Sequence, residues 1–262
     1  MSTFASFDGT KLAYESYGAE DDRPPVLLLH GFAADSHANW ERPHVIEALV
    51  SAGRRVVALD ARGHGESDKP HDPAAYADDA MVRDAQALLD HLGVASVDVC
   101  GYSMGAMTTY ALVARDPRAR SAVLGGVGAH LGGRALAKRA PLIADGLLAE
   151  DPSTIESRTA AAFRAFADST GADRQALAAI QRSRRSAALP DGASIRVPTL
   201  VIAGDRDVLV GAPDELAARI PGATVAVVSG DHLGAVFDPN FRKEIVAFLD
   251  RVDQTAAAAA GS

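Results

Sequence analysis

The chain is nearly without cysteine. Its 262 residues hold one, Cys100, so no disulfide can form within the chain and no paired-cysteine metal motif exists. Cys100 lies in an apolar run, which predicts a buried, unreactive thiol. Basic tracts are also missing. Lysine and arginine total 26 against 34 aspartates and glutamates, a formal net charge of −8. The densest basic cluster, Arg182-Ser183-Arg184-Arg185, reads as the solvated end of a helix. Nucleic acid is therefore not an expected partner. No apolar run approaches the ~20 residues that span a bilayer. The stretch Met1 to Asp8 has neither the basic n-region nor the apolar h-region of a signal peptide. The expectation is a cytoplasmic protein with a small-molecule substrate and no membrane partner. His30, His37 and His44 recur every seven residues, but no His-Glu-x-x-His pattern accompanies them, so neither a metal nor another cofactor is expected.

What is present is an alternation of strand and helix signals. Phe4 to Phe7 and Lys11 to Tyr17 flank an Asp8-Gly9 turn and read as a β-hairpin. Continuous apolar runs follow at Val26 to Leu29, Val56 to Asp60, Val97 to Cys100, Ser121 to Val127, Thr199 to Gly204 and Ala223 to Val228. Runs of this kind predict strands covered on both faces, hence a parallel sheet. Helical spacing appears over Pro43 to Ala52, Asp78 to Leu92, Asp214 to Ile220 and Asn240 to Val252. The fold class is α/β, a mostly parallel twisted sheet with an antiparallel start and helices on both faces. Residues 130–189 break the alternation and read as a helical cap inserted into a core formed by 1–129 and 190–253. Within it, Ser153 to Glu156 has capping-box spacing, Ile155, Ala162, Phe163 and Phe166 form a candidate apolar face, and Asp173 to Ser186 reads as a further helix. The alanine-rich tail, 254–262, reads as a frayed or disordered end.

Gly101-Tyr102-Ser103-Met104-Gly105 has the G-x-S-x-G pattern and sits between a strand and a helix signal. A Gly-Ser loop is the plain reading of these five residues. In a strand–turn–helix context, however, the pattern makes a strained elbow that projects the serine hydroxyl at the sheet edge. A serine needs an adjacent base. Among eight histidines, His232 is the one that closely follows the last predicted strand. Asp205 and Asp207 follow the preceding strand and compete for the role of orienting acid. Asp207 is preferred because it lies deeper in the loop, before Val208-Leu209-Val210, and Asp205 suits turn hydrogen bonds. Asp231 adjoins the histidine and is poorly placed to reach its Nδ1. A developing oxyanion needs two donors, and the backbone N–H groups of Met104 and of Phe32, in His30-Gly31-Phe32, are the candidates. Trp40, Tyr102, His130, Leu131, Phe163 and Phe166 are candidate pocket residues.

Taken together, His30-Gly31-Phe32, the run Asp60 to Ser67, the elbow Gly101 to Gly105, Gly204 to Asp207 and Gly230-Asp231-His232 resemble the α/β-hydrolase fold superfamily, of the serine-nucleophile, short-capped type. The order Ser103, Asp207, His232 is similar to that family's nucleophile–acid–base order. The resemblance implies that Asp60 to Ser67 is structural and that His64 is not catalytic. Haloalkane dehalogenases and epoxide hydrolases of this fold carry Asp where this chain has Ser103. The resemblance is therefore to enol-lactonases, carboxylesterases, carbon–carbon hydrolases and haloperoxidase-like perhydrolases. It implies a serine hydrolase that cleaves a small or medium ester or lactone through an acyl-enzyme. Carbon–carbon cleavage or perhydrolysis is the alternative within the fold, and a small-ligand receptor with a retained triad is the alternative outside catalysis.

Overall fold

Apolar runs without a polar face settle where both faces are covered. In the computed structural model, which describes residues 1–20, 23–132, 134–183 and 189–260, they form one eight-stranded sheet. The strands are β1 (Ser2–Ala5), β2 (Lys11–Tyr17), β3 (Val26–Leu29), β4 (Val56–Leu59), β5 (Val97–Tyr102), β6 (Ala119–Gly125), β7 (Thr199–Gly204) and β8 (Thr224–Val228). Their order is β1-β2-β4-β3-β5-β6-β7-β8. The hairpin β1–β2 joins the sheet antiparallel to β4, and every later pairing is parallel. One expectation changes here. β8 is one of the sheet's two edges, so it is covered less than the other parallel strands, and Val227 is exposed.

Register places the strand ends together. Leu29 lies beside Leu59 and Gly101, Tyr102 beside Gly125, and Gly204 beside Val228. The loops after β3, β5, β7 and β8 therefore leave from one edge, and these loops carry Phe32, Ser103, Asp207 and His232.

The period of two along each strand divides the core. Leu27 and Leu29, with Val57 and Leu59, face α2 (Ala80–His91), α3 (Met104–Val113) and α7 (Pro213–Ala217). Val26, Leu28, Val56 and Ala58 face α1 (Val45–Ser51) and α8 (Pro239–Ala260). Helix α8 runs on to Ala260, through the stretch from residue 254 that the sequence reads as a frayed or disordered end. Alanine is the strongest helix former, and extending an existing helix avoids the cost of nucleation. No helix among the described residues is long and apolar enough to cross a membrane.

Three helices stand between β6 and β7: α4 (Arg134–Leu148), α5 (Arg158–Thr170) and α6 (Arg174–Arg182). The first gives no clear signal in the sequence, and it carries Pro141 in its interior. Helix α5 does not start at Ser153. Asp151 accepts from the Ser153 N–H, which holds a short turn over Pro152–Thr154, and the helix begins after Ser157, whose hydroxyl caps the Ala160 N–H. Its buried face is Ala160, Arg164 and Ala167, and Ala162 is exposed. Arg164 is buried because its guanidinium closes the C-terminal end of α4, donating to Ala149 O at 2.6 Å. In α6, Arg182 is exposed and pairs with Asp145 at 3.0 Å, and Arg184 and Arg185 lie outside the described residues. The three helices share a core with Phe32 and Met104, which puts them over the edge where the loops converge.

The loop after β4 is held by buried polar groups. Asp60 accepts the N–H groups of Ser36 and Glu66, each at 2.9 Å. The Arg62 side chain is fully buried, grips Asp84 through Nε and Nη2 at 2.6 Å each, and reaches Asp8 at 2.9 Å. The resulting expectation is specific. Arg62→Met leaves Asp84 buried and uncompensated, and urea unfolding should report a loss of about 3–5 kcal/mol. A loss below about 1 kcal/mol would show that this ion pair does not anchor the loop.

Candidate active site

The turn after β5 is built by close approach. A Cβ on Gly101 would stand 2.2 Å from Gly105 O, and one on Gly105 would stand 1.9 Å from Leu29 O. Only glycine fits at either position. Between them Ser103 adopts φ 52° and ψ −107°, a region that L residues rarely enter. The strain is held by the Ser103 N–H donating to Gly125 O at 2.8 Å and by Ser103 O accepting from Met107 N–H. The hydroxyl is thereby directed away from the sheet.

His232 meets that hydroxyl. Ser103 Oγ lies 2.9 Å from His232 Nε2, and His232 Nδ1 lies 2.7 Å from Asp207 Oδ2. The carboxylate can only accept, so Nδ1 carries the proton and Nε2 is left to accept from the serine. The Asp207 side chain has no exposure to solvent, and its other oxygen accepts the Leu209 N–H at 3.0 Å. Asp205 instead accepts the Gly230 N–H at 2.9 Å and ties the two loops together. Asp231 accepts the Gly234 N–H at 2.8 Å. Tyr102 OH donates to His232 O at 2.8 Å, and burial pushes this phenol above its ordinary value, so it stays a donor. A hydroxyl, an acceptor nitrogen and a buried carboxylate in this sequence can remove a proton from the hydroxyl as it attacks an electrophile.

Two backbone donors lie beside the serine. Met104 opens α3, where an N–H has no partner in its own helix. In the loop after β3, Gly31 N–H donates to Asn39 Oδ1 at 2.8 Å, Ala33 N–H to His64 Nε2 at 3.2 Å and Ala34 N–H to Gly31 O at 3.2 Å. The Phe32 N–H between them has no acceptor among the described residues. The loop is fixed by two buried imidazoles. His64 accepts from Ala33, so its Nδ1 donates to Arg62 O at 3.1 Å. His30 accepts from Ala61 at 3.0 Å and donates through Nδ1 to Gly31 O at 2.8 Å.

Two cavities open on the serine. One, of about 100 Å³, is lined by Val127, His130, Leu131, Arg139 and Ile143. The other, of about 60 Å³, is lined by Asn39, Tyr102, Phe166 and Val236. Phe32, Ser103, Phe163 and His232 border both. Trp40 borders neither. It is fully buried beside Val26, Leu28 and Phe241, because a π-helical turn over His37–Glu41 folds it back into the core under the sheet. Asn39 and Arg139 are additions that the sequence reading missed. Asn39 lies in that same irregular turn, and Arg139 lies on the unpredicted α4, so neither carried a periodic signal. Cys100 is buried, and burial pushes its thiol up.

His64 supplies a pH dependence. Burial, then the neighbouring His30, push its pKa down to about 3. In the unfolded chain an imidazole titrates near ~6.5. Below that pH the unfolded state takes up a proton that the folded state refuses. Stability is therefore complete above pH ~6.5 and falls by up to about 1.4 kcal/mol per pH unit towards pH 3, where the folded protein titrates too. Urea midpoints across this range should fall less steeply in His64→Gln than in the wild type, and parallel slopes would remove His64 from the account.

Comparison with known proteins agrees with this architecture. A family model described as alpha/beta hydrolase fold matches residues 24–127. A proline iminopeptidase of Lactobacillus helveticus is 35% identical over 103 residues, covering 38% of this chain and 34% of the relative. The match thus spans about a third of that curated relative's length. An epoxide hydrolase 2 of Siraitia grosvenorii is 36% identical over 108 residues, covering 41% of this chain and 32% of the relative. Among solved structures, a hydrolase from Pseudomonas aeruginosa PA01 is 31% identical with a TM-score of 0.77, covering 95% of this chain and 97% of that one. The enol-lactonase from Burkholderia xenovorans LB400 is 28% identical with a TM-score of 0.73, covering 95% and 100%. With the sheet order, the elbow and an end-to-end relative above 30% identity in agreement, the chain belongs to the α/β-hydrolase fold superfamily.

Proposed function

We propose that the protein is a serine hydrolase acting on small or medium carboxylic esters or lactones, with Ser103 as nucleophile, His232 as general base and Asp207 as its orienting acid. The observation that carries this reading is the continuous chain Ser103–His232–Asp207, at 2.9 and 2.7 Å, beside two unengaged amides. In the proposed cycle His232 takes the Ser103 proton as Oγ attacks the carbonyl carbon. The Phe32 and Met104 N–H groups receive the oxyanion. His232 then passes its proton to the leaving oxygen, and the C–O bond to the alcohol breaks. Water attacks the acyl-enzyme, giving a proton to His232, which returns it to Ser103 as the acid leaves. Asp207 keeps the imidazole in the working tautomer and stabilises its charged form.

Two features support a small ester over other substrates. The serine-bordering cavities are about 100 and 60 Å³, room for a short acyl chain on one side and a small leaving group on the other. Among the described residues neither cavity is lined by a carboxylate, so nothing there would hold the free ammonium of a peptide terminus. The helices α4 to α6 act in this reading as a cap that closes the acyl side. Ser103, where a carboxylate nucleophile would serve epoxide opening, supports acyl transfer.

Short 4-nitrophenyl esters test this. Ser103→Ala should lower kcat by about 10⁶-fold and Asp207→Asn by about 10⁴-fold, with circular dichroism spectra unchanged. Turnover within about tenfold of wild type in folded Ser103→Ala would refute the assignment.

A further inference from the structure

Arg139 has no counter-ion among the described residues. Its guanidinium is partly buried, its one hydrogen bond is from Nη1 to Leu209 O at 2.9 Å, and no carboxylate stands within ion-pairing distance. It borders the larger of the two serine cavities, whose other walls are mainly apolar: Phe32, Val127, Leu131, Ile143, Phe163 and Val210. The uncharged polar side chains there, Thr159 and Gln181, come from α5 and α6 and have no hydrogen-bond partner among the described residues. Among the described residues, ten other arginines are ion-paired. Arg62, Arg118 and Arg120 each hold two aspartates, and Arg54 holds Asp250 and Asp253. Arg42 borders the smaller cavity, but it is exposed and its charge is solvated.

A guanidinium is always charged and offers five donors in a planar fork. Placing one at the wall of an apolar cavity with a single acceptor leaves partly buried donors that a ligand can satisfy. The ligand chemistry that matches this fork is a carboxylate, which it takes in two parallel hydrogen bonds. Resting on the serine-hydrolase reading, we infer that Arg139 is a specificity residue for a substrate whose acyl portion ends in a second, free carboxylate: a half-ester or a carboxylated lactone. The reacting carbonyl lies at Ser103, the carbon chain lies along Val127, Leu131 and Ile143, and the free carboxylate meets Arg139, with Thr159 and Gln181 as additional donors. In a protein of net charge −8, this cation gives an anionic acyl chain a local partner inside the cavity. Helix α4, which carries Arg139, is thereby coupled to substrate choice rather than to the chemical step.

The test compares 4-nitrophenyl hydrogen glutarate, which keeps a free carboxylate, with its neutral methyl ester. The wild type should favour the anionic ester in kcat/KM, and Arg139→Met should lower the anionic-to-neutral ratio by about 10–100-fold, chiefly through KM, with Arg139→Lys between the two. A second readout does not depend on turnover. Binding of monomethyl glutarate to Ser103→Ala, followed by NMR shifts, should weaken by a similar factor in Ser103→Ala/Arg139→Met. A wild-type ratio near one, a ratio unchanged by Arg139→Met, or a ratio that falls only in Arg42→Met would overturn the inference. Absence of turnover on both esters would instead count against the serine reading, and the binding measurement would still decide the anion site.

Discussion

The packing of α3 against β3 is the constraint on which the site rests. At Gly105 the helix backbone runs so near Leu29 O that a single added carbon would stand 1.9 Å from it. That approach fixes the first turn of α3, and the strained Ser103 backbone, φ 52° and ψ −107°, is what joins β5 to a helix so placed. The cost of the strain, of order 1–3 kcal/mol for such a conformation, is offset by two strands and a helix that leave no alternative path. The serine hydroxyl is therefore aimed by backbone geometry rather than by a side-chain rotamer alone.

The same edge collects the other parts through buried polar groups with few degrees of freedom. Asp207 is held by Leu209 N–H and in turn holds His232. Asp205 ties its own loop to Gly230, so Asp207 and His232 belong to one braced pair of loops. Across the site, Asn39 and His64 take the Gly31 and Ala33 N–H groups, Gly31 O takes that of Ala34 and a proton from His30, and the Phe32 N–H is left without an acceptor among the described residues. Both histidines accept a backbone N–H and donate to a carbonyl, roles that require the neutral ring. Beneath them the Arg62–Asp84 pair locks the loop after β4. Precision at the serine thus depends on polar contacts that never touch a substrate.

Much of this was legible in the sequence, and the reasons differ by element. The central strands were readable because β3 and β4 are uninterrupted apolar runs, which only a doubly covered sheet explains. β8 was read as covered because its composition, Thr224 to Val228, is that of an inner strand, although its place at the edge is set by topology. Ser103 was readable from its glycines, which report sterics directly. The sequence places Asp205, Asp207 and His232 in loops after strands, and the structure brings His232 to Ser103 and Asp207 to His232 while Asp205 turns to Gly230. Trp40 misled because a large aromatic near a site loop looks like a pocket wall, and nothing local signals the π-helical turn that buries it. Helix α4 was hidden by Pro141, which argues against a helix from sequence but is tolerated here within a helix packed on α5 and α6. Arg139 was invisible for the same reason. Its meaning comes from the absence of a partner, and a sequence does not display partners.

The account stands on the covalent role of Ser103. The most direct measurement is to quench the protein with acid during turnover of a 4-nitrophenyl ester and locate the acyl group by peptide mass spectrometry. The account predicts an acyl group on Ser103, in the peptide that contains Gly101 to Gly105, and its disappearance as deacylation completes. An acyl group on another residue, or steady turnover with Ser103 never modified even in Asp207→Asn, where deacylation is slowed, would contradict it.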